Sequence, residues 1–512
     1  MGTETDVCLI LEGTYPYVAG GVSTWVHQLI SSLKEFSFSL AVILPDKASE
    51  REIKYPIPEN IIEIREVYLH DLKLPDEYNN KIVKEAWRDL EHFHTCQRNS
   101  DKLIFFESIF KHFFKQDTRR ISPENILHTK EAWNILSKLY QEKANDESFL
   151  DYFWTVRFIH LPIFKILTSE LPEACVYHTV STGYAGLMAV IGKLKYQRPL
   201  FLTEHGIYTR ERRIEISRAD WIYEKDIHQV KVLKSQSRFK ELWNNMFTTL
   251  SKICYEYSDI IITLFQGNQT CQLDDGADPN KMMIIPNGVD VEIYQALIRE
   301  KKEEPDEFVI GFMGRVVSIK DVKTFIRACK GVADVVNKLK VYIMGPTDEE
   351  EAYYEECLKL TELLGMDKII EFTGKVNVIE YYPKIDILVL TSISEAQPLV
   401  ILEANCMGIP VVATDVGACR ELLYGSTYED TLLGKSGFIT GVTNSKEIAD
   451  AIIKIWKSKD LREKMGEAGK RRVAQFYNKK DLDNKYRELY NQYKKYKSIK
   501  ISRQFINGGD RI

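Results

Sequence analysis

The strongest constraint in this 512-residue chain is the recurrence of short, near-continuous apolar runs separated by helical patterns. In the first part these are DVCLILE (6–12), SFSLAVIL (37–44), IIEIREVYL (61–69), ACVYHTV (174–180), PLFLTEH (199–205), DIIITLF (259–265) and MMIIPN (282–287). In the second part they are EFVIGFMG (307–314), KVYIMG (340–345), IIEFTG (369–374), DILVLTS (386–392), PVVATD (410–415) and GFIT (437–440). A strand with one wet face alternates apolar and polar residues, whereas a strand covered on both faces has no reason to alternate. Such runs, spaced by helices, read as βαβ units and therefore as parallel sheets between helical layers. The expected class is α/β, built as two doubly wound halves.

The polar segment LIREKKEEPDE (297–307) interrupts this pattern with charge and a proline, and it marks the boundary between the halves. The length itself predicts two to four units at roughly 100–200 residues each. The expected division is 1–296, 297–480 and a terminal segment 481–512. Two stretches depart from the alternation. Residues 70–160 contain no clear strand and are rich in charge and aromatics, as in DKLIFFESIFKHFFKQ, which reads as a helical insertion in the first domain. DLDNKYRELYNQYKKYK (481–497) places Leu482, Tyr486, Leu489, Tyr490 and Tyr493 on one helical face, which predicts a long terminal helix with one solvated side. Residues after about 500 are expected to fray.

Composition narrows the function classes. The chain is 44% hydrophobic and 28% charged, as soluble enzymes are, and its net charge of −5 gives no footprint for a nucleic-acid partner. The longest apolar runs are strand-sized, far short of a membrane span. The start, MGTETDVCLILEG, lacks a basic stretch before its apolar run and reads as no signal peptide. Nine cysteines with no CxxC pair read as reduced, packed residues of a cytoplasmic protein.

In open α/β sheets ligands bind beyond the carboxyl ends of the strands. That rule places EAQPLVILE (395–403). The strand DILVLTS ends at Ser392, so Glu395 lies on the following loop, at the ligand edge. Pro398 suits a first helical position, where its missing N–H costs nothing. The helix then runs through LVILEANCMG and stops at Gly408. Glu403 lies about 7.5 Å along the axis from Pro398. The amides of Leu399 and Val400 have no partner inside such a helix and can receive an anion. A diphosphate at the helix tip would leave one acid on each side, each able to accept from sugar or ribose hydroxyls. The alternative is two surface glutamates near a helix N-terminus, where acids are mildly favoured. After the first strand of this half come Arg315 and Lys320, two cations on the same edge and suited to a diphosphate. In the first half Gly20 and Gly21 precede a helix and would let backbone approach a phosphate, although the pair is also a common turn and lacks the GxGxxG pattern. His205, in TEHGIYTRERR, ends a strand, where it can meet a reacting sugar or simply bond nearby backbone.

Taken together, these stretches resemble the retaining glycosyltransferases of family four, which have the GT-B fold of two Rossmann-like doubly wound domains facing a central cleft. The resemblance covers nearly the whole chain. It rests on GR followed by Lys320, on FTGKV, on EAQPLVILEA and on GIPVVATDVG. EGTYPYVAGGVSTWVHQLI and TEHGIYTRERR are similar, more narrowly, to the cytosolic glycosyltransferases of Pel exopolysaccharide synthesis. Many relatives carry Phe-Gly at Gln397 and Pro398, and Gly-Gly at Gly417 and Ala418, so the sugar pocket differs from theirs. The resemblance implies that Arg315 and Lys320 bind the donor diphosphate with Gly20, Gly21, Leu399 and Val400, that Glu403 holds the ribose, and that backbone near Lys375 and Val376 meets the base. It implies that Glu395 binds the donor sugar with His205 at its reacting end, and that the last helix packs back on the first domain. The implied donor is a UDP-sugar, with UDP-glucose or a related hexose expected. The implied acceptor is a growing polysaccharide, with a membrane-embedded synthesis and export complex as partner. Neither a cofactor nor a metal is expected.

Other features read as structure. His92, His94 and Cys96 in LEHFHTC do not share one helical face and lack a fourth ligand for a metal. Asn287-Gly288 reads as a turn. The one Asp-x-Asp pair, Asp481 and Asp483, opens the terminal helix rather than following a strand. Two alternatives stay open: a non-catalytic GT-B scaffold within a synthase, and a GT-B epimerase or phosphorylase.

Overall fold

The computed structural model describes residues 4–47, 51–70, 84–96, 99–114, 128–219, 232–297 and 307–494. Among the described residues thirteen strands form, one for each apolar run. They are β1 (Thr5–Glu12), β2 (Phe38–Leu44), β3 (Ile61–Tyr68), β4 (Ala174–Thr179), β5 (Leu200–Glu204), β6 (Ile260–Thr263) and β7 (Met282–Ile284), then β8 (Phe308–Met313), β9 (Leu339–Met344), β10 (Ile370–Gly374), β11 (Ile387–Leu390), β12 (Val411–Thr414) and β13 (Gly437–Thr440). They build a seven-stranded sheet of order β3-β2-β1-β4-β5-β6-β7 and a six-stranded sheet of order β10-β9-β8-β11-β12-β13. Every neighbouring pair of the second sheet is parallel, as are those from β3 to β5 in the first. Every residue of β2, β5, β8, β11 and β12 is buried, which is why their sequences show no alternation. The fold is therefore α/β with two Rossmann-like units, the architecture of GT-B glycosyltransferases.

One unit takes the chain up to Ile262 together with Cys271–Met283 and the residues from Arg487 on. The other takes Thr263–Thr270 and Ile284–Tyr486. The expected linker lies outside the described residues at 298–306, as does the tail beyond 494.

In the first unit the stretch after β3 is helical: Lys84–Thr95, Asn99–Phe114, Lys130–Lys143 and Phe149–Leu167. Thr129 and Ser148 cap the last two, accepting from the amides of Ala132 and Asp151. The insertion shares its core with the sheet, because Trp87, Leu90, Phe106 and Leu139 belong to one apolar cluster with Ile10, Ile43 and Leu187. Parts of the expected 70–160 span, at 71–83, 97–98 and 115–127, lie outside the described residues. The terminal helix spans Lys479–Lys494 and buries Leu482, Tyr486 and Tyr490. Tyr490 is enclosed by Phe36, Phe38 and Phe201 and donates or accepts a 2.6 Å hydrogen bond with His178 Nδ1.

In the second unit the helix Val322–Ala333 shows how sequence sets position. Its residues Val322, Phe325, Ile326, Cys329 and Val332 repeat at helical spacing and are all fully buried. Asp321 adopts φ 46°, ψ 52° and accepts from the Thr324 amide at 3.3 Å, starting the helix immediately after Lys320.

Candidate active site

In the six-stranded sheet, order runs outward in both directions from the β8/β11 pair. Connections from these two strands leave to opposite faces of the sheet, which opens a crevice beyond their carboxyl ends. The loop after β8 carries Arg315 and Lys320, and the loop after β11 carries Glu395. The geometry thus brings together residues that are distant in sequence.

The two loops are stitched by backbone. The Ile393 amide donates to the Ile319 carbonyl at 2.8 Å, and the Thr391 hydroxyl donates to the carbonyls of Lys320 and Asp321 at 2.9 and 3.0 Å. Between them, Lys320 Nζ forms an ion pair with Glu395 Oε1, which also accepts from the Ser392 hydroxyl at 2.6 Å. The side chains of Lys320 and Glu395 retain 21% and 13% exposure, so the pair is reachable yet mostly desolvated. Arg315 sits differently. Its Nη1 binds Glu349 in a surface pair, both side chains about half exposed. Such a pair is worth about 0–1 kcal/mol and yields to a stronger anion.

The helix next to this loop spans Leu399–Cys406. Pro398 is its cap, with φ −73° and ψ 113°, rather than its first helical residue as the sequence suggests. The φ of proline fits either place, and the extended ψ decides. Leu399 and Val400 are half-buried and head the helix, where their amides have no intrahelical acceptor. At the other end Gly408 adopts φ +69°, with Gly408 N–H donating to Asn405 O and Ile409 N–H to Ala404 O, a Schellman stop.

Glu403 is half-buried on this helix and accepts from the Tyr382 hydroxyl at 2.5 Å and from Tyr294. Burial pushes its carboxyl above the ordinary range, and the two tyrosines counteract this. Tyr382 is fully buried and its ring meets that of Tyr294 edge-on at 5.7 Å. Neither tyrosine was identifiable from motif spacing. Lys375 is exposed and Val376 half-buried just after β10, on the strand-end side of the sheet. The loop before the helix has further supports. Gln397 is buried and accepts from the Asn287 amide at 2.6 Å, so the segment at Asn287-Gly288, which forms no turn, contributes to the loop's position. Gly417 has φ +51°, and a Cβ there would lie 2.2 Å from the Glu395 carbonyl and 2.4 Å from that of Ala396. Glycine is thus required for the close approach that positions Glu395.

The seven-stranded sheet has its own switch point, between β1 and β4. Gly20 caps the helix Gly21–Ser32 in the connection after β1. Neither glycine has an unusual φ, and a Cβ on either would meet nothing within 4 Å. The protein's own packing therefore does not demand glycine there, which fits close approach by a ligand. The Gly20 amide already donates to the Tyr55 hydroxyl at 3.3 Å. Two buried hydroxyls near this switch point, Thr14 Oγ1 and Ser181 Oγ, have no partner among the described residues.

His205 follows β5, which ends one residue earlier than expected, at Glu204. It is buried with its ring edge-on to Trp25 at 4.7 Å, and burial pushes its pKa down to about 4, so it is neutral near pH 7. Glu204 was overlooked in the sequence because it reads as a strand end. It is fully enclosed and accepts from Tyr255 Oη at 2.7 Å, Gln272 Nε2 at 2.9 Å and the Tyr208 amide at 3.1 Å. Burial nevertheless pushes its pKa up to about 7.

Among the described residues, no group of three or more His, Cys, Asp or Glu could hold a metal. His94 meets His160 instead, His92 stacks on Phe105, and Asp483 pairs with Lys479 inside the terminal helix. All nine cysteines are free thiols, six of them buried. No helix among the described residues is long and apolar enough to cross a membrane.

Residues 5–280 match the family model described as Domain of unknown function (DUF3492). The chain belongs to the DUF3492 family. Residues 295–472 of this DUF3492 protein match the model Glycosyl transferases group 1. Among curated proteins it is 27% identical over 231 residues to the capsular polysaccharide biosynthesis glycosyltransferase CapM of Staphylococcus aureus, covering 43% of this chain and 57% of CapM. It is 27% identical over 247 residues to the N-acetyl-alpha-D-glucosaminyl L-malate synthase of Bacillus anthracis, covering 46% and 60%. The DUF3492 chain thus spans about half the length of the curated relatives it matches. Among solved structures, Anabaena HepE in complex with UDP superposes with a TM-score of 0.55 at 14% identity, covering 95% of this chain and 99% of HepE. Sucrose-phosphate synthase of Thermosynechococcus elongatus gives 0.55 at 15%, covering 95% and 98%. At these identities the likeness is one of fold.

Proposed function

We propose that this chain is a retaining glycosyltransferase that moves a hexose from a UDP-sugar, UDP-glucose or a close relative, to a growing exopolysaccharide, in the manner of PelF, the glycosyltransferase of Pel polysaccharide synthesis. The observation that carries the reading is the Lys320–Glu395 pair at the β8/β11 switch point, beside the open end of the Leu399–Cys406 helix. A diphosphate placed there gains Lys320, the amides of Leu399 and Val400, and Arg315 once it displaces Glu349. Lys320 would then bridge the diphosphate and Glu395, leaving the second oxygen of Glu395 to accept from sugar hydroxyls.

Glu403, braced by Tyr382 and Tyr294, is suited to the ribose hydroxyls, and the backbone at Lys375 and Val376 to the base. Cleaving the bond between the sugar and the diphosphate moves negative charge onto the departing phosphate. Cations and amides already aimed at that place stabilise the charge as it develops, with little reorganisation. Since these groups occupy the role that a metal takes in other sugar transferases, transfer proceeds without one. HepE, similar in fold, has been crystallised with UDP and with UDP-glucose, which supports the nucleotide class. The partners that follow are a polysaccharide acceptor and a membrane-embedded synthesis complex, with the chain at the inner face of the cytoplasmic membrane.

Calorimetric titration with UDP, GDP and ADP tests the nucleotide. UDP should bind tightest, and comparable affinity for all three would contradict the reading.

A further inference from the structure

Between the helical insertion of the amino-terminal unit and the helix Val232–Tyr257 lies a cavity of about 540 Å³, within the size range of small-molecule sites. Its walls are mostly apolar, formed by side chains such as Leu90, Phe106, Leu139, Ile159 and Phe164. The charged groups on the wall are Lys102, Lys143, Arg157 and Lys252, and among the described lining residues there is no Asp or Glu. Lys143 is exposed and the other three are partly buried, so the set offers an entering anion cations with no carboxylate on the described wall to compete for them.

The details sharpen this. Lys102 is half-buried, and burial, with Lys143 and Lys252 nearby, holds its ammonium below the ordinary range. Neither Lys102 nor Lys252 has an ion-pair partner among the described residues. Lys143 donates to the backbone carbonyl of His94, and Arg157 lies over the Trp154 ring. The two histidines on the wall supply no negative charge. His160 Nδ1 lies 2.6 Å from the Val156 carbonyl and must donate to it, so its Nε2 accepts from His94 Nε2 at 3.2 Å. The pair is neutral and satisfied. Trp133 lines the cavity while 51% exposed, so the cavity reaches the surface there. The helix Phe149–Leu167 also carries Leu150, Trp154 and Phe158 in i, i+4, i+8 spacing, at 62%, 37% and 46% exposure. An apolar stripe on a cavity-lining helix suits a ligand delivered from a lipid surface.

We propose that the insertion binds a lipid-like amphiphile, with one apolar chain in the cavity and an anionic head group, phosphate or carboxylate, held by Lys102 and Lys252. The proposal holds whether or not the carboxyl-terminal unit transfers a sugar.

The test is calorimetric titration of the full chain with dodecyl phosphate, dodecanoate and dodecyl maltoside, each below its critical micelle concentration. One molecule of an anionic amphiphile should bind per chain, at least about tenfold more tightly than the neutral maltoside. The order of phosphate and carboxylate identifies the head group. The double variant Lys102→Ala, Lys252→Ala should weaken the anionic ligands by about tenfold or more and leave the maltoside unchanged. Ala132→Trp, which fills the cavity from the Lys130–Lys143 helix, should weaken all three, with near-native circular dichroism. Equal affinity for neutral and anionic probes, no saturable binding, or full binding by the double lysine variant would each overturn the proposal.

Discussion

Replacing Gly417 with alanine probes how the Glu395 loop is positioned. Gly417 has φ +51°, where an L-residue costs about 1–2 kcal/mol. The added Cβ would sit 2.2 and 2.4 Å from the carbonyl oxygens of Glu395 and Ala396, well inside contact distance, and both are backbone atoms that cannot rotate aside. Relief requires the loop to move by about 1 Å, which also loosens the 2.8 Å hydrogen bond from the Ala418 amide to the Ala396 carbonyl, worth about 1 kcal/mol. The expected loss of stability is therefore about 2–3 kcal/mol. The same displacement draws Glu395 away from Lys320 and Ser392, and a 1 Å misplacement can cost about a hundredfold in rate. Urea denaturation gives the first number and sugar transfer at saturating donor the second. Gly365→Ala is the control, since Gly365 has φ +66° with nothing within 4 Å of the added Cβ. It should lose about 1–2 kcal/mol with transfer intact. Wild-type turnover in Gly417→Ala, or an equal loss of turnover in both variants, would refute the reasoning.

Glu395→Ala should abolish transfer while UDP affinity stays close to wild type, whereas Glu403→Ala should weaken UDP by about 1–3 kcal/mol; identical behaviour of the two in calorimetry and turnover would contradict their separate roles. His205→Ala should lower kcat more than UDP affinity, and an unchanged kcat would return His205 to a structural role. Glu204 carries a pH signature. Its folded pKa is raised to about 7 from an ordinary 4.5, so the stability linked to its proton is fully present below pH 4.5 and is lost as pH rises through 7. Relative to Glu204→Gln, the native chain should lose about 3 kcal/mol between those limits, measured by denaturation at stepped pH, and parallel curves would show that the carboxyl does not titrate there.

The strands were legible because parallel strands buried on both faces leave continuous apolar runs, as in FVIGFM of β8, where all six residues are buried. Arg315, Lys320 and Glu395 could be assigned to one sheet edge for the same reason, since the edge follows from where the runs end. What each group touches could not be read. Tyr294 and Tyr382 reach Glu403 from separate short helical segments, and no local spacing encodes that approach. The need for glycine at 417 depends on a carbonyl from another loop. The pairing of Arg315 with Glu349 depends on the connection after β9, which no spacing around Arg315 encodes. Glu204 escaped notice because a carboxylate at a strand end looks exposed, and only the packing of Tyr255, Gln272 and Tyr208 around it makes it a buried acceptor.

The central claim is that the diphosphate of a UDP-sugar is held by this chain's own cations and amides. It is tested most directly by incubating the protein with a panel of UDP-, GDP- and ADP-sugars in EDTA and measuring nucleotide release. The account predicts release of UDP from a UDP-hexose in EDTA, severely impaired in Lys320→Ala and in Arg315→Ala even with added magnesium. No release from any donor, or loss in EDTA that magnesium or manganese restores, would contradict it.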